Sequence, residues 1–174
     1  MRVKANEERF DLVTEDGHRI GTATRRECHA DPTKLHPVVH ALVLNAKGEI
    51  LLQKRSPDKD IQPDKWDTSM GGHVDAGEAV EEALVREVGE ELGIAVRLYD
   101  FEFCYRYVMR NAIESELVHT YLLRHEGPFR FQESEISALR FWPPEEIALH
   151  LGDGTFTPNF EDEYRHHLAW RAAR

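Results

Sequence analysis

Gly72-His-Val-Asp-Ala-Gly-Glu-Ala-Val-Glu-Glu-Ala-Leu-Val-Arg-Glu-Val-Gly-Glu-Glu-Leu-Gly-Ile94 is the stretch around which this chain is organised. It opens with glycines at Gly71, Gly72 and Gly77, and its composition predicts a helix from Glu78 to Leu92 that stops at Gly93. A glycine just past the last helical residue takes a left-handed C-cap without a steric penalty. Val80, Leu84, Val88 and Leu92 recur every four residues and form a stripe that can dock on a core. Glu87, Glu90 and Glu91 stand at i, i+3 and i+4, so three carboxylates share one face. Like charges at that spacing weaken a helix unless something compensates them. Clustered glutamates commonly mean no more than a solvated acidic face. Several carboxylate oxygens on one rigid surface also suit a hard divalent cation such as Mg²⁺ or Mn²⁺.

The order of residues favours the cation. Gly72, Glu78, Arg86-Glu87-Val88, Glu90-Glu91 and Gly93-Ile94, at their observed spacings, resemble the Nudix box over 72–94 without a departure. The resemblance implies a Mg²⁺-dependent hydrolase of a nucleoside diphosphate derivative or related organic diphosphate. It also implies an α/β/α sandwich with a mixed sheet. It is strongest from about residue 36 to 94 and weaker to the C-terminus.

The rest of the chain fits that class. At 174 residues it is long enough for one domain with a substantial core. Hydrophobic content of 41% beside 31% charged residues reads as globular. Net charge is −10, with no basic run beyond pairs such as Arg25-Arg26 and Lys54-Arg55, which disfavours a nucleic-acid polymer as partner. No apolar span is long enough for a membrane helix, and no signal-peptide core is evident. Cys28 and Cys104 form no CxxC, so both are expected as packing residues in a reducing cytoplasm. The expected partners are a small-molecule diphosphate and, as a homodimer, a second copy of the chain.

Asp16-Gly17 predicts the turn of an N-terminal hairpin over 9–25, and Thr24-Arg-Arg-Glu27 has capping-box spacing. Val38–Leu44 and Glu49–Lys54 read as a central hairpin, and Ser56–Lys65, with Pro57 and Pro63, as a surface loop. Ala95–Tyr99, Phe101–Met109, Leu117–Arg124 and Leu139–Trp142 read as strands. A short helix follows Pro143-Pro144. Thr157-Pro158 opens a C-terminal helix over 158–172, with Phe160, Tyr164 and Leu168 expected on its inner face. No repeat or linker divides the chain, so one domain over 1–174 is expected.

The resemblance assigns the chemistry by position. Glu87 and Glu91 are the leading metal ligands, Glu90 is a further ligand or a water-activating base, and the Gly72 carbonyl completes the coordination. Glu78 and Arg86 read as structural, the arginine holding a carboxylate by a bidentate pair. Some family members take their base from a distant loop, and Glu135 of Glu133-Ser-Glu135 lies in such a loop; a solvated acidic turn fits it as well. Lys54 and Arg55 end a central strand and can meet phosphates, or serve only as strand-end charges. Tyr105 and Tyr107 share a strand face, to stack on a base or to pack in the core.

A second resemblance is to the type 1 isopentenyl-diphosphate isomerases, which share the fold. It rests on His29 and His36, on Trp66-Asp-Thr-Ser-Met-Gly-Gly-His73, and on Glu114-Ser-Glu116. In those enzymes three histidines and two glutamates bind a metal, which implies a second, transition-metal site at His29, His36, His73, Glu114 and Glu116. Ordinary loop histidines and solvent-facing glutamates fit the same spacing. A cysteine does proton chemistry in the isomerases, and here its position is Gly71. They also commonly lack the first glutamates of the box, whereas Glu87 and Glu90 are present. Both departures favour hydrolysis. A non-catalytic interaction domain on the same fold is disfavoured by the complete carboxylate set.

Overall fold

A computed structural model describes residues 7–174. The hairpin β1 (Arg9–Val13) and β2 (Arg19–Thr24) leads into a single helical turn, α1 (Arg25–Cys28). That turn starts on its capping box: Thr24 Oγ1 accepts from Glu27 N at 3.2 Å, and Glu27 Oε2 accepts from Thr24 N at 2.7 Å. The strands β3 (Leu35–Leu44), β4 (Ile50–Arg55), β5 (Trp66–Asp67) and β6 (Met70–His73) precede the central helix α2 (Val80–Leu92). Then come β7 (Phe101–Arg110), β8 (Ser115–Arg124), β9 (Ile136–Trp142), α3 (Pro144–His150) and α4 (Pro158–Ala172).

Strands β3 to β9 form one mixed sheet. β5-β4-β3-β8-β7 run in that order, β6 pairs with β3, and β9 with β4. β3 and β8 are parallel and the other pairings antiparallel. The period of two along β3 sends alternate residues to opposite faces. Val39, Ala41 and Val43 pack with Ala83, Leu84, Val88 and Leu92 of α2. Leu42 and Leu44 pack on the other face with Phe160 and Tyr164 of α4. Burying both faces explains why β3 reads as a nearly continuous apolar run. The result is a mixed sheet between helices, an α/β/α arrangement.

Three expectations differ from the structure. Ala95–Tyr99 is not a strand but leads into a 3-10 turn at Leu98–Asp100. Asp100 Oδ2 accepts from Arg97 N at 2.8 Å, a local side-chain bond that competes with strand pairing. α2 begins at Val80 rather than Glu78, because Glu78 is held in the preceding turn by its own amide bond to Asp75 O at 2.9 Å. Leu168 is 45% exposed, and His167 takes the inner position instead. Seven residues are about two turns, so the inward-facing sequence from Phe160 is 160, 164, 167, not 160, 164, 168.

Candidate active site

A cleft of about 1160 Å³ opens where β6 crosses the start of α2. Its wall includes Gly71, Gly72, Glu87, Glu90 and Glu91 of the motif, and His40, His73 and Glu116 from the sheet. One group of side chains faces it, and a second adjoins it through His73 and Glu116.

The first is the acidic face of α2. Arg86 organises it: Nε and Nη2 donate to the two oxygens of Glu78 at 2.8 Å each, Nη1 donates to Glu87 Oε1 at 2.8 Å, and Nη2 also donates to His73 O at 3.1 Å. One guanidinium thus ties the glycine turn, the helix start and a candidate ligand into a fixed frame. Glu87 packs directly on Gly72: a Cβ there would fall 2.8 Å from Glu87 Oε2 and overlap its Cγ and Cδ. Only glycine admits the carboxylate so close to the strand. Glu91 Oε2 is buried with no hydrogen-bond partner. Burial, then the neighbouring Glu87 charge, pushes Glu91 up to about 8, and burial also raises Glu87. Glu90 is the outermost, its side chain 49% exposed and 3.6 Å from Arg86 Nη1. An orphaned buried carboxylate oxygen beside a second carboxylate packed on Gly72 is an oxygen donor set that fits Mg²⁺ or Mn²⁺. Arg86→Lys should retain the fold yet weaken metal binding about 10- to 100-fold, as for lost groups that orient ligands. Titration with Mn²⁺ checks this, and unchanged affinity would remove Arg86 from the frame.

The second group lies under the hairpin. The parallel register sets His36 beside Glu116, and the antiparallel β6 brings His73 to Val38. Candidate ligand atoms of His29, His36 and His73 lie within 4.8 Å of one another, as do those of His36, Glu114 and Glu116. Phe10 of β1 stacks on His73 and His36, with ring centroids 4.6 and 5.3 Å apart. The nitrogens converge, with those of His29 and His73 within hydrogen-bond distance of each other. His29 Nε2 is 3.3 Å from His73 Nε2 and 3.2 Å from Glu114 Oε2, yet Glu114 Oε2 is not aligned to accept a hydrogen bond. His36 Nε2 is buried and has no hydrogen-bond partner among the described residues. Burial lowers His29 to about 4, lowers His36 and His73, and raises Glu116 to about 7. Neutral imidazoles aimed at one point are the form that coordinates.

The other candidates are divided by strand geometry. Arg55 lines the cleft, its Nη1 3.7 Å from Asp67 Oδ2. Lys54 does not line it: alternation along β4 sends Gln53 and Arg55 inward and Lys54 to the opposite side, 4.0 Å from Asp64. Glu135 is at the cleft and is ion-paired with Lys59. Tyr105 and Tyr107 do share a face, but it is turned toward α4 and is not part of the cleft wall. Both hydroxyls donate to Glu163, Tyr107 at 2.8 Å, and Tyr107 stacks on His166 at 4.0 Å between centroids. A base cannot stack on the face that α4 covers.

The sequence reading missed His40 and Glu163. Glu163 is wholly buried and accepts from four side chains: His40 Nδ1 at 2.6 Å, both tyrosines, and Thr120 Oγ1 at 3.2 Å. A signal existed in His40, a lone polar residue within Val38–Leu44, since a buried polar group requires a partner. That partner is 123 residues away and only the fold brings it near.

Comparison with known proteins agrees with this geometry. The family model for the NUDIX domain matches residues 34–160. A Nudix hydrolase of Listeria monocytogenes is 32% identical, over 88% of this chain and 90% of its own. An isopentenyl-diphosphate delta-isomerase of Nocardia farcinica is 30% identical, over 85% of this chain and 87% of its own. A crystal structure from Deinococcus radiodurans superposes with a TM-score of 0.77 at 27% identity, covering 91% of this chain and 98% of that one. With the glycine turn, the Arg86 frame and the carboxylate helix in place, the chain belongs to the Nudix family, as a hydrolase of the class that acts on small-molecule diphosphate compounds.

Proposed function

We propose that the chain is a Mg²⁺-dependent pyrophosphohydrolase, with Mn²⁺ able to substitute, acting on a nucleoside diphosphate derivative or a related organic diphosphate. The observation that carries this reading is the unpartnered, buried Glu91 oxygen beside Glu87 against Gly72. Glu87, Glu91 and the Gly72 carbonyl would hold the metal, with Glu90 as a further ligand or as the base that takes a proton from water. A bound divalent ion would neutralise the phosphoryl charge and acidify water. Glu135 is the alternative base; it must first release Lys59. Arg55 is placed to meet a phosphate oxygen once it leaves Asp67. The whole chain acts as one unit in this reading, since α4 is tied to β3 through Glu163 and His40. Two free, buried cysteines suit a reducing, cytoplasmic setting. Among the described residues no helix is long and apolar enough to cross a membrane. A Mg²⁺-supplemented screen of nucleoside diphosphate derivatives, dinucleotides, nucleoside triphosphates and prenyl diphosphates, with products identified, tests the reading. Cleavage of none would reject it.

We also infer a transition-metal site at His29, His36, His73, Glu114 and Glu116, supported by their convergence and by the unpartnered His36 nitrogen. Mixed imidazole and carboxylate donors prefer Mn²⁺, Fe²⁺ or Zn²⁺ to Mg²⁺. Purified protein should retain such a metal through dialysis, and His36→Ala combined with His73→Ala should release it. Protons compete for the imidazoles, so affinity falls as pH drops. Glu116 is pushed up to about 7 and His29 down to about 4, so affinity should begin to fall below neutral pH, as Glu116 takes a proton, and be lost by the lower value. Equal, negligible metal in wild type and double mutant after loading with Zn²⁺ or Mn²⁺ would refute the site.

That cluster and the isomerase similarity favour a second reading, prenyl-diphosphate isomerisation. Gly71 opposes it, because glycine carries no proton to transfer. Purified protein should form no dimethylallyl diphosphate; sustained formation would move the chain to this class. Gly71→Cys should fold, since its Cβ would meet only the His40 ring, at 3.4 Å, but is not expected to become an efficient isomerase.

A further inference from the structure

His40 and Glu163 form a buried pair that neither metal group uses. Glu163 has four donors and needs no more, so the cost of burying its charge is largely offset locally. The pair is asymmetric. Glu163 is fully enclosed, whereas the His40 side chain is 13% exposed and forms part of the cleft wall. Its Nδ1 is committed to Glu163, and its Nε2 edge borders Gly71, where a Cβ would stand 3.4 Å away. The absent side chain at Gly71 therefore leaves that edge open to the cleft. Several cations around the cleft face carboxylates instead: Arg86 is held by Glu78 and Glu87, Lys59 by Glu135, Arg25 by Glu8 at 3.0 Å, and Arg55 lies 3.7 Å from Asp67, while Arg9 donates to Thr22. His40 reaches the cleft with a nitrogen that has no hydrogen-bond partner among the described residues.

We propose that His40 is a substrate-binding residue, donating from Nε2–H to a phosphoryl oxygen of the bound diphosphate, and that Glu163 is its positioning residue. The assignment rests on the diphosphate reading above. An ionised carboxylate only accepts, so Nδ1 must carry the proton, and the ring is fixed in orientation as well as in tautomer. Burial opposes the charge on His40, but the hydrogen bond and charge of Glu163 outweigh it and raise its pKa, and an anionic phosphoryl oxygen at Nε2 would favour the doubly protonated ring further. Both tyrosines and Thr120 lock the carboxylate from the α4 side, which gives those side chains a role without substrate contact. In a cleft lined by Glu87, Glu91 and Glu116, a fixed cation contributed by β3 beside Gly71, in addition to the metal face of α2, would select for a ligand anionic at two points, as a diphosphate is.

The test uses methylenediphosphonate, the non-hydrolysable form of the shared group, bound to the full-length protein in Mg²⁺ and followed by calorimetry. A charged hydrogen bond lost from the site should weaken binding about 10- to 100-fold in His40→Gln. Glu163→Gln should weaken it by a smaller factor, and the double variant should bind no more weakly than His40→Gln alone, because Glu163 acts only through the ring. A purely structural pair would lower the melting temperature and leave binding unchanged. Equal affinity of wild type and folded His40→Gln overturns this assignment and leaves the diphosphate reading standing. Failure of the wild type to bind overturns both. Should the variants not fold, ¹⁵N imidazole spectra of the wild type decide: the His40 Nε2 resonance must move on saturation with the ligand, and an unmoved resonance overturns the assignment.

Discussion

Glu87→Gln and Glu91→Gln should each lower turnover of a cleaved diphosphate by about 10²- to 10³-fold, the scale of losing several kcal/mol of metal-assisted charge stabilisation. Each exchange removes a ligand charge with almost no change in volume. For Glu91 the same change should stabilise the metal-free protein. Its carboxyl titrates at about 8 in the folded chain against an ordinary value of 4.5, because burial and Glu87 disfavour the anion. The folded state therefore binds this proton more tightly than the unfolded state. Between those pH values the unfolded chain has lost the proton and the folded chain retains it, so stability falls as pH rises through the window. Glutamine has no such proton. Thermal melts in chelator should show Glu91→Gln matching wild type near pH 4.5 and exceeding it at pH 8. A variant less stable than wild type at pH 8 would mean that Glu91 is a structural acid.

The second large effect is expected at Gly72→Ala. Its added carbon would overlap Cγ and Cδ of Glu87 and stand 2.8 Å from Oε2. Glu87 is not free to swing away, since Arg86 holds its other oxygen at 2.8 Å. Either the β6 backbone shifts or the Arg86 frame opens. Overpacking of this kind costs about 1–3 kcal/mol of stability, and displacing a ligand should lower activity about 100-fold, on the scale of a lost metal-orienting contact. Gly71→Ala is the control one residue away: its Cβ would meet His40 at an ordinary 3.4 Å, so the fold should accept it. Melting temperature and Mg²⁺ titration of the two variants give the comparison. Equal effects would mean that the turn, and not Glu87, is what tolerates only glycine.

Most strands, α2 and the acidic face were legible in the sequence because they are local; the pairing was not, since the expected central hairpin joins β3 to β4 only at Leu44 and Ile50 while β3 runs parallel to the distant β8. A period of four, a terminal glycine and a capping box each act over a few residues, and the structure places α1, α2 and α4 accordingly. Ala95–Tyr99 misled because alternation promises a strand only where a neighbour is available, and Asp100 offered a local bond first. Tyr105 and Tyr107 were correctly placed on one face, but which face α4 covers is decided by packing 56 to 58 residues later. Lys54 and Arg55 were adjacent in sequence and opposite in space, which only the direction of β4 determines. His40 and Glu163 illustrate the limit: each alone is an ordinary residue, and their chemistry exists only as a pair.

The central claim is that the carboxylate face of α2 cleaves a diphosphate by way of a divalent ion. Phosphorus NMR of the diphosphates in the screen, incubated with wild type and with Glu87→Gln at limiting Mg²⁺, tests it most directly. The expected result is loss of the anhydride resonances with wild type and Mg²⁺, their persistence when the metal is chelated, and their persistence with the variant. Anhydride cleavage by Glu87→Gln at the wild-type rate, or wild-type cleavage undiminished by chelation, would contradict it.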